Sequence, residues 1–312
     1  MSPDIAASIR ARLLRKAKES GDEFEFTLVR YACERFLYRL GASPLRERCI
    51  LKGASLQSVW MDDPYRATRD VDLLSRGSSD EAAIRDIVST ICSVPCPEDG
   101  LTFDLDTLTV TSIRADQEYD GQRAVLTAYL ASARIRLQVD FGFGDVLSLD
   151  PIDTDYPTLI IGTPVPRLRV YRRETAVAEK LEAIVRFGRR NSRMKDFHDV
   201  WAISSTFEFD GLHLCEAVGV CFDRRRTRLT AELPDVLTPA FYSDPDLQAR
   251  WSAYIREGAF KAAPPFGFDI IGERIRAFFG PIRDRILGDS EVRLSWSRDG
   301  GWVMSPILAN TP

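Results

Sequence analysis

Through the first forty positions apolar residues recur near helical spacing: Ile5, Ile9 and Leu13 form one stripe, and Phe24, Leu28, Cys33, Phe36, Leu37 and Leu40 a second. Two helices are predicted, the second ended by Gly41 and Pro44. The short run Cys49-Ile50-Leu51 leads into Lys52-Gly53-Ala54-Ser55 and then Leu56, Val59 and Trp60, which predicts a strand, a tight turn and the start of a helix. Further on, Val71 and Leu73 alternate with Asp70 and Asp72 as on a half-buried strand. A helix is predicted over 81–92 and several strands between 101 and 141. The clearest of these strands turns Ile135, Leu137, Val139 and Phe141 inward and Arg134, Arg136, Gln138 and Asp140 outward. After Pro164 and Pro166 the period becomes helical, over 174–187, 194–204, 212–222, 246–256 and 268–279, with breaks at Gly211, Pro234, Pro239 and Pro264-Pro265. The chain is therefore expected to divide near residue 165, into a mixed α and β domain over 1–165 and a mainly helical one over 166–312. Beyond Leu287 no element is assigned.

Composition agrees with two folded domains: the 312 residues are 45% hydrophobic and 28% charged, enough for a sizeable core. No stretch reaches the roughly 18 consecutive apolar residues of a membrane span. The N-terminus carries Arg10, Arg12, Arg15, Lys16 and Lys18 and lacks the apolar centre of a signal peptide. A cytoplasmic protein without membrane contact is expected. The six cysteines, Cys33, Cys49, Cys92, Cys96, Cys215 and Cys221, lack the paired spacing of a zinc knuckle or redox dithiol, so reduced and mostly buried thiols are expected. With only His198 and His213 present, a mechanism needing several histidine ligands, such as that of an HD-type phosphohydrolase, is poorly supplied. The net charge of -4 excludes a uniformly cationic nucleic-acid binder. Arg172-Arg173, Arg189-Arg190, Arg193 and Arg224-Arg225-Arg226 remain either phosphate contacts or solvated charge.

Candidate chemistry centres on Asp70 and Asp72. Two apart on a strand, their carboxylates leave one face, as ligands for a hard divalent cation would. A lone pair at this spacing is common, so the surroundings decide. Upstream, Gly53-Ala54-Ser55 follows a strand and opens a helix, where backbone N–H groups attract phosphate; an ordinary capped helix start would look the same. Asp140, on the polar side of its strand, is a third carboxylate that suits a second metal contact or a general base, or else a solvated strand residue. On the helix over 174–187 Lys180 borders the apolar stripe of Val177, Leu181, Ile184 and Val185, where its ammonium either reaches a triphosphate or snorkels to solvent. On the next helix Asp196 and Asp199 share a face, and Lys195 is placed to pair with Asp199.

Four ordered segments bind these pieces together: Lys52-Gly53-Ala54-Ser55-Leu56, Arg66-Ala67-Thr68-Arg69-Asp70-Val71-Asp72-Leu73, Ala178-Glu179-Lys180-Leu181-Glu182-Ala183 and Asn191-Ser192-Arg193-Met194-Lys195-Asp196-Phe197-His198-Asp199. In that order they resemble the motifs of the AbiEii/MenT nucleotidyltransferase toxins, over about residues 48 to 205, with a looser similarity across 237–279. The resemblance implies an α+β fold, a DNA polymerase β-like nucleotidyltransferase domain with a mixed sheet followed by a mainly helical domain that completes the active-site cleft. It further implies the toxin arm of a bacterial toxin-antitoxin or phage-defence operon, with a cognate antitoxin encoded nearby. By position, Asp70 and Asp72 match the family's metal carboxylates, Lys180 its phosphate-binding lysine, Asp199 its essential late aspartate and Ser55 the hydroxyl residue after its glycines. Asp140 is added by strand pattern. Ala54 stands where the family usually has a second glycine.

The expected catalytic set is thus Asp70, Asp72, Asp140, Lys180 and Asp199, with Asp70, Asp72 and Asp140 on the metal, Mg²⁺ or Mn²⁺. Lys52, Gly53, Ser55, Arg69, Lys180, Lys195 and Asp196 are assigned to the nucleotide, an NTP of which CTP or another pyrimidine is favoured by the resemblance. The implied reaction adds NMP to the 3′ end of tRNA and blocks aminoacylation. A nucleotidyltransferase acting on a small molecule or protein hydroxyl would share the metal and triphosphate residues; labelled NTP appearing in drug or protein would identify it. A metal nuclease would shorten RNA instead of extending it. A non-catalytic binding module would have no need to keep Asp70, Asp72, Lys180 and Asp199 together.

Overall fold

The two N-terminal helices form where the apolar spacing predicts them, as α1 (Ile5–Ser20) and α2 (Phe24–Ala42). The side chain of Asp4 caps α1 by accepting from the Ala7 N–H, and Gly21 ends it in the left-handed conformation. Gly41 does not end α2 as expected but lies within it. A Cβ there would sit 2.5 Å from the Arg167 carbonyl oxygen, so this glycine is where the helix backbone meets a strand. The computed structural model describes residues 4–61, 68–115, 119–258, 260, 267–288 and 292–306; Arg66, Ala67 and the Pro264-Pro265 break lie outside them.

A seven-stranded mixed sheet receives these helices. Its strands are β1 (Cys49–Lys52), β2 (Asp70–Ser75), β3 (Leu101–Ala115), β4 (Tyr119–Leu130), β5 (Ala133–Gly142), β6 (Ile152–Asp155) and β7 (Arg167–Val170), in the order β3-β4-β5-β2-β1-β7-β6. The β2–β5 and β1–β7 pairs are parallel and the others antiparallel. Helices α3 (Leu56–Trp60) and α4 (Glu81–Cys92) fall where the sequence predicts them, and α4 buries Ile84, Ile87, Val88 and Ile91 at helical spacing. Ile9, Leu13, Leu28, Tyr31 and Ala32 of α1 and α2 pack against Ala128, Leu130 and Ile135, which places the core on one face of β4 and β5. Arg39 ties α2 to the start of β3 through a buried salt bridge to Asp99.

The remaining helices are α5 (Arg173–Phe187), α6 (Met194–Thr206), α7 (Gly211–Arg224), α8 (Pro239–Tyr242), α9 (Pro245–Glu257) and α10 (Phe268–Leu287). The chain divides into two compact units, 1–145 with 151–171 and 146–150 with 172–312. In the second, Phe197 meets the rings of Phe241, Tyr242 and Phe268, and Trp251 stacks on Phe268. Helix α10 runs beyond Phe279, the expected end, and through Pro281, because Phe278, Phe279 and Ile282 are buried around the proline and hold the helix on its core. The unassigned tail forms a hairpin, β9 (Val292–Ser297) and β10 (Gly301–Pro306), extended by β8 (Phe209–Asp210) into a three-stranded sheet. Trp296 fixes the hairpin by donating to the Ser204 carbonyl at 2.7 Å. A mixed sheet backed by helices and followed by a mainly helical part is the α+β architecture expected from the sequence.

All six cysteines are free, with Cys33, Cys49 and Cys96 buried and Cys92, Cys215 and Cys221 half-buried. Burial pushes the Cys33 thiol up to about 12. Among the described residues no helix is long and apolar enough to cross a membrane.

Candidate metal and nucleotide site

Strand register brings the polar residues of the sheet into one row. Lys52 of β1 pairs with Asp72 of β2, Asp72 with Asp140 of β5, and Asp140 with Arg123 of β4. Registered partners share a face, so the row reads cation, carboxylate, carboxylate, cation across four strands. One step along the strands, Asp70 is in register with Gln138 on the same face. Carboxylate oxygens of Asp70, Asp72 and Asp140 all lie within 4.8 Å of one another, and all three residues are half-buried. Val71, Leu73, Val139 and Phe141 are buried on the opposite face and anchor the two strands. Hard cations take oxygen ligands, and three carboxylates this close repel unless a cation lies among them or beside them.

Arg123 supplies part of that balance. Its Nε and Nη2 donate to the two oxygens of Asp140 at 2.8 and 2.7 Å, a bidentate pair, and the side chain is 40% exposed. The hydrogen bond to Asp140, opposed by partial burial and reinforced by the charges of Asp140, Asp70 and Asp72, raises its pKa. With its amide turned to place oxygen toward Arg123, Gln138 also accepts from the guanidinium at 3.1 and 3.3 Å. Arg123 was absent from the residues singled out by sequence. Its signal was there: Ala124, Leu126, Ala128 and Leu130 alternate inward along β4 and leave Arg123 on the outward face.

At the other end of the row, Gly53–Ser55 forms a single 3-10 turn ahead of the five-residue α3, so the turn itself, rather than a long helix, brings backbone to the site. Gly53 has φ +70°, and a Cβ there would fall 2.0 Å from Asp72 Oδ2. Only glycine lets the chain pass Asp72 so closely. Gly53→Ala is expected to cost about 1–3 kcal/mol of stability, as strained backbone does, and to displace Asp72. A lowered thermal midpoint with weakened Mn²⁺ binding checks this, and wild-type values for both would show that the turn has room.

Other predicted residues are placed as follows. Ser55 is buried and donates through its hydroxyl to the Asp70 carbonyl at 3.1 Å, holding β2 to the turn. Lys52 pairs with Asp145 at 2.8 Å and lies over the Tyr171 ring, 5.3 Å from its centroid. Asp145 was not foreseen. Arg69 is directed to α2, pairing with Glu23 at 3.6 Å and stacking over Phe26. Thr68 donates to Asp70 Oδ1.

A second polar cluster lies on α5 and α6. Lys180 Nζ meets Asp199 Oδ2 at 2.5 Å and Asp196 Oδ1 at 3.5 Å, and Arg193 Nε donates to Asp196 Oδ2 at 2.8 Å. Both carboxylates are buried and the Lys180 side chain is 15% exposed. The partner of Asp199 seen here is therefore Lys180 of the neighbouring helix, in place of the expected Lys195, which is exposed. Helix α6 turns Asp196 and Asp199 inward together, and a buried carboxylate demands a cation where an exposed lysine does not. Several arginines that could have met phosphate are engaged elsewhere: Arg189 with Asp235 and Asp244, Arg193 with Asp196, Arg225 with Glu179 and Glu182.

The sequence model of the AbiEii nucleotidyl transferase toxin family, of type IV toxin-antitoxin systems, matches residues 35–279. No curated protein matches the chain. Among solved structures it is similar to JHP933 from Helicobacter pylori, with a TM-score of 0.45 and 13% identity over 82% of this chain and 90% of that one. It is also similar to a second solved structure from H. pylori, provisionally titled a nucleotidyltransferase, with a TM-score of 0.44 and 13% identity over 82% of this chain and 93% of that one.

Proposed function

Because the chain belongs to the AbiEii nucleotidyl transferase toxin family of type IV toxin-antitoxin systems, and is therefore a nucleotidyltransferase with a cognate antitoxin, we propose that it is a metal-dependent enzyme that adds NMP from an NTP to the 3′ end of tRNA and so blocks aminoacylation. The observation that carries the metal-dependent part is the approach of Asp70, Asp72 and Asp140 to within 4.8 Å on one sheet face. Three carboxylates without a histidine among them suit Mg²⁺ or Mn²⁺. With such an ion bound, the site gains a Lewis acid for the charge on the transferring phosphoryl group.

In the reaction, the acceptor 3′-hydroxyl oxygen forms a bond to the α-phosphorus, the α–β anhydride bond breaks, pyrophosphate leaves and the hydroxyl proton passes to water. Asp70, Asp72 and Asp140 hold the ion. We assign Asp140 to this holding role rather than to proton removal, since both of its oxygens already accept hydrogen bonds from Arg123 and it stands within 4.8 Å of Asp70 and Asp72. Lys180 serves the triphosphate, with Asp199 orienting its ammonium. Lys52, Gly53, Ser55, Arg69, Lys195 and Asp196 remain as the proposed nucleotide-side residues, Ser55 and Asp196 by holding the turn and the Lys180 cluster in place. CTP or another pyrimidine nucleotide is the preferred donor, and the nearby-encoded antitoxin and a role in phage defence complete the reading.

Incubating the protein with total tRNA, Mg²⁺ and each α-labelled NTP in turn tests it. Label is expected at the tRNA 3′ end, most strongly from a pyrimidine nucleotide, and aminoacylation of the product is expected to fail. Label appearing in protein or a small molecule, or shortened tRNA, would replace this acceptor by another.

A further inference from the structure

The face of the sheet that carries the carboxylates continues away from them along β4 and β5. Register puts Tyr129 opposite Arg134 and Thr127 opposite Arg136, on the same side as Asp140. The helices packed against β4 and β5 bury the other side, and here Arg134 and Arg136 are exposed and Tyr129 is 37% exposed. Arg46, Arg167, Arg189 and Arg193 are surface arginines that each meet a carboxylate. Arg134 and Arg136 form no ion pair among the described residues. They stand two residues apart on one strand, about 6.7 Å, close to the phosphate repeat of an extended single strand. From Asp140 back to Arg134 is six residues, about 20 Å at the rise of a strand. Asp104 of β3, in register with Thr127, bounds the face on its outer side.

We propose that this face, with Arg134, Arg136 and Tyr129 exposed on it, is the track for the acceptor: a single-stranded polynucleotide whose phosphates meet Arg136 and Arg134 and one of whose bases stacks on Tyr129, with its 3′ end directed toward Asp140. The inference rests on the RNA-acceptor reading above and adds the surface that reads it. Two considerations favour nucleic acid over an acidic protein. An exposed tyrosine ring beside uncompensated arginines is the combination that single strands use, stacking plus phosphate neutralisation. In-line phosphoryl transfer also sets the entering hydroxyl opposite the leaving pyrophosphate. The Gly53 turn lies at the β1 end of the row, which leaves the β4–β5 end for the acceptor.

Arg134→Glu/Arg136→Glu and Tyr129→Ala alter exposed side chains and are expected to keep the wild-type thermal midpoint. The probe is a short fluorescein-labelled single-stranded RNA with a tRNA 3′ sequence, titrated into full-length protein at several salt concentrations, alongside the tRNA transfer assay. In the double variant affinity is expected to fall at least about tenfold, and the log–log salt slope to flatten by about 1.4, at ~0.7 for each phosphate of a single strand that is no longer neutralised. Tyr129→Ala should weaken binding roughly tenfold with the slope kept. Transfer by both should fall through KM, recovering at high RNA. Wild-type enzyme that extends tRNA while the variants bind RNA as well as it does would overturn the track and leave the acceptor reading standing. RNA binding that depends on this face without nucleotide transfer to RNA would keep the track and remove the acceptor reading. Failure of wild type to bind RNA would overturn both, and polyglutamate binding lost in the double variant would then assign the face to an acidic protein.

Discussion

Asp70→Ala and Asp72→Ala are each expected to lower nucleotide transfer by about 10³-fold or more while leaving the protein folded. The size follows from what the carboxylates hold. A metal in phosphoryl transfer contributes several kcal/mol to the barrier, at about 1.4 kcal/mol for each factor of ten. The stability part follows from burial and charge. Asp70, Asp72 and Asp140 have oxygens within 4.8 Å of one another, and all three are half-buried, so removing one relieves repulsion and opens no cavity in the core. Asp70 forms no ion pair among the described residues, and its carboxylate accepts from the Thr68 hydroxyl. Asp70→Asn keeps the shape and should be as inactive as the alanine variant, which separates charge from packing. Thermal unfolding with added Mn²⁺ gives a readout independent of turnover. An ion that binds only the folded state raises the midpoint with concentration, and that rise should be present in wild type and absent in both variants. Transfer at the wild-type rate by either alanine variant, or an undiminished Mn²⁺ response, would remove these residues from the metal.

Asp140→Ala should likewise leave the protein folded, since the Arg123 that it frees is 40% exposed and can turn to solvent. That expectation depends on Arg123, a residue that sequence pattern alone did not single out. The period-two pattern of β5 located Asp140 because every second residue from Ile135 to Phe141 is apolar, and such a pattern leaves one choice of face. The same pattern on β4 is weaker, with small Ala124 and Ala128 on the inner side and Val125 on the outer, so Arg123 does not stand out. Cross-strand partners are what the chain cannot display along its length: nothing near Asp140 in sequence says that residue 123 lies opposite. Helix α5 and its Lys180 were legible from the apolar stripe, yet the pairing with Asp199 was read within one helix as Lys195–Asp199, since i,i+4 neighbours are visible in sequence and neighbouring helices are not. Strands β6 and β7, four residues each, and the hairpin β9–β10 were not assigned, although Val292, Leu294 and Trp296 alternate with Arg293, Ser295 and Ser297 along β9, because nothing within so short a segment says which strand it pairs with. Helix α10 was ended too early, at Phe279, whereas buried Phe278 and Phe279 before Pro281 and buried Ile282 after it outweigh the one hydrogen bond that the proline removes.

Lys180→Ala is the second large effect, and it is expected to be large twice over. Asp199 is fully buried and Asp196 nearly so, and both face the Lys180 ammonium. Removing the lysine leaves Asp199 without that cation, and breaking a buried pair from one side typically costs about 3–5 kcal/mol. Asp196 is protected by Arg193, which holds its other oxygen at 2.8 Å. Loss of transfer in Lys180→Ala therefore does not by itself prove contact with phosphate. The double variant Lys180→Ala/Asp199→Asn separates the two causes, because a neutral amide no longer needs a buried cation. Its thermal midpoint should recover most of the loss, while transfer should stay down by about 10²-fold or more, the usual scale for a fixed group that stabilises charge developing in the transition state. Lys180→Arg should fold and regain only part of the activity, as a planar fork places its charge differently from a compact ammonium. NTP affinity, measured by binding of a labelled, non-reacting analogue, should fall in all three variants if the ammonium meets the triphosphate. A double variant that is stable, binds the analogue as wild type does and transfers at the wild-type rate would confine Lys180 to neutralising α6, and the triphosphate would need another cation, with Lys52 the next to substitute.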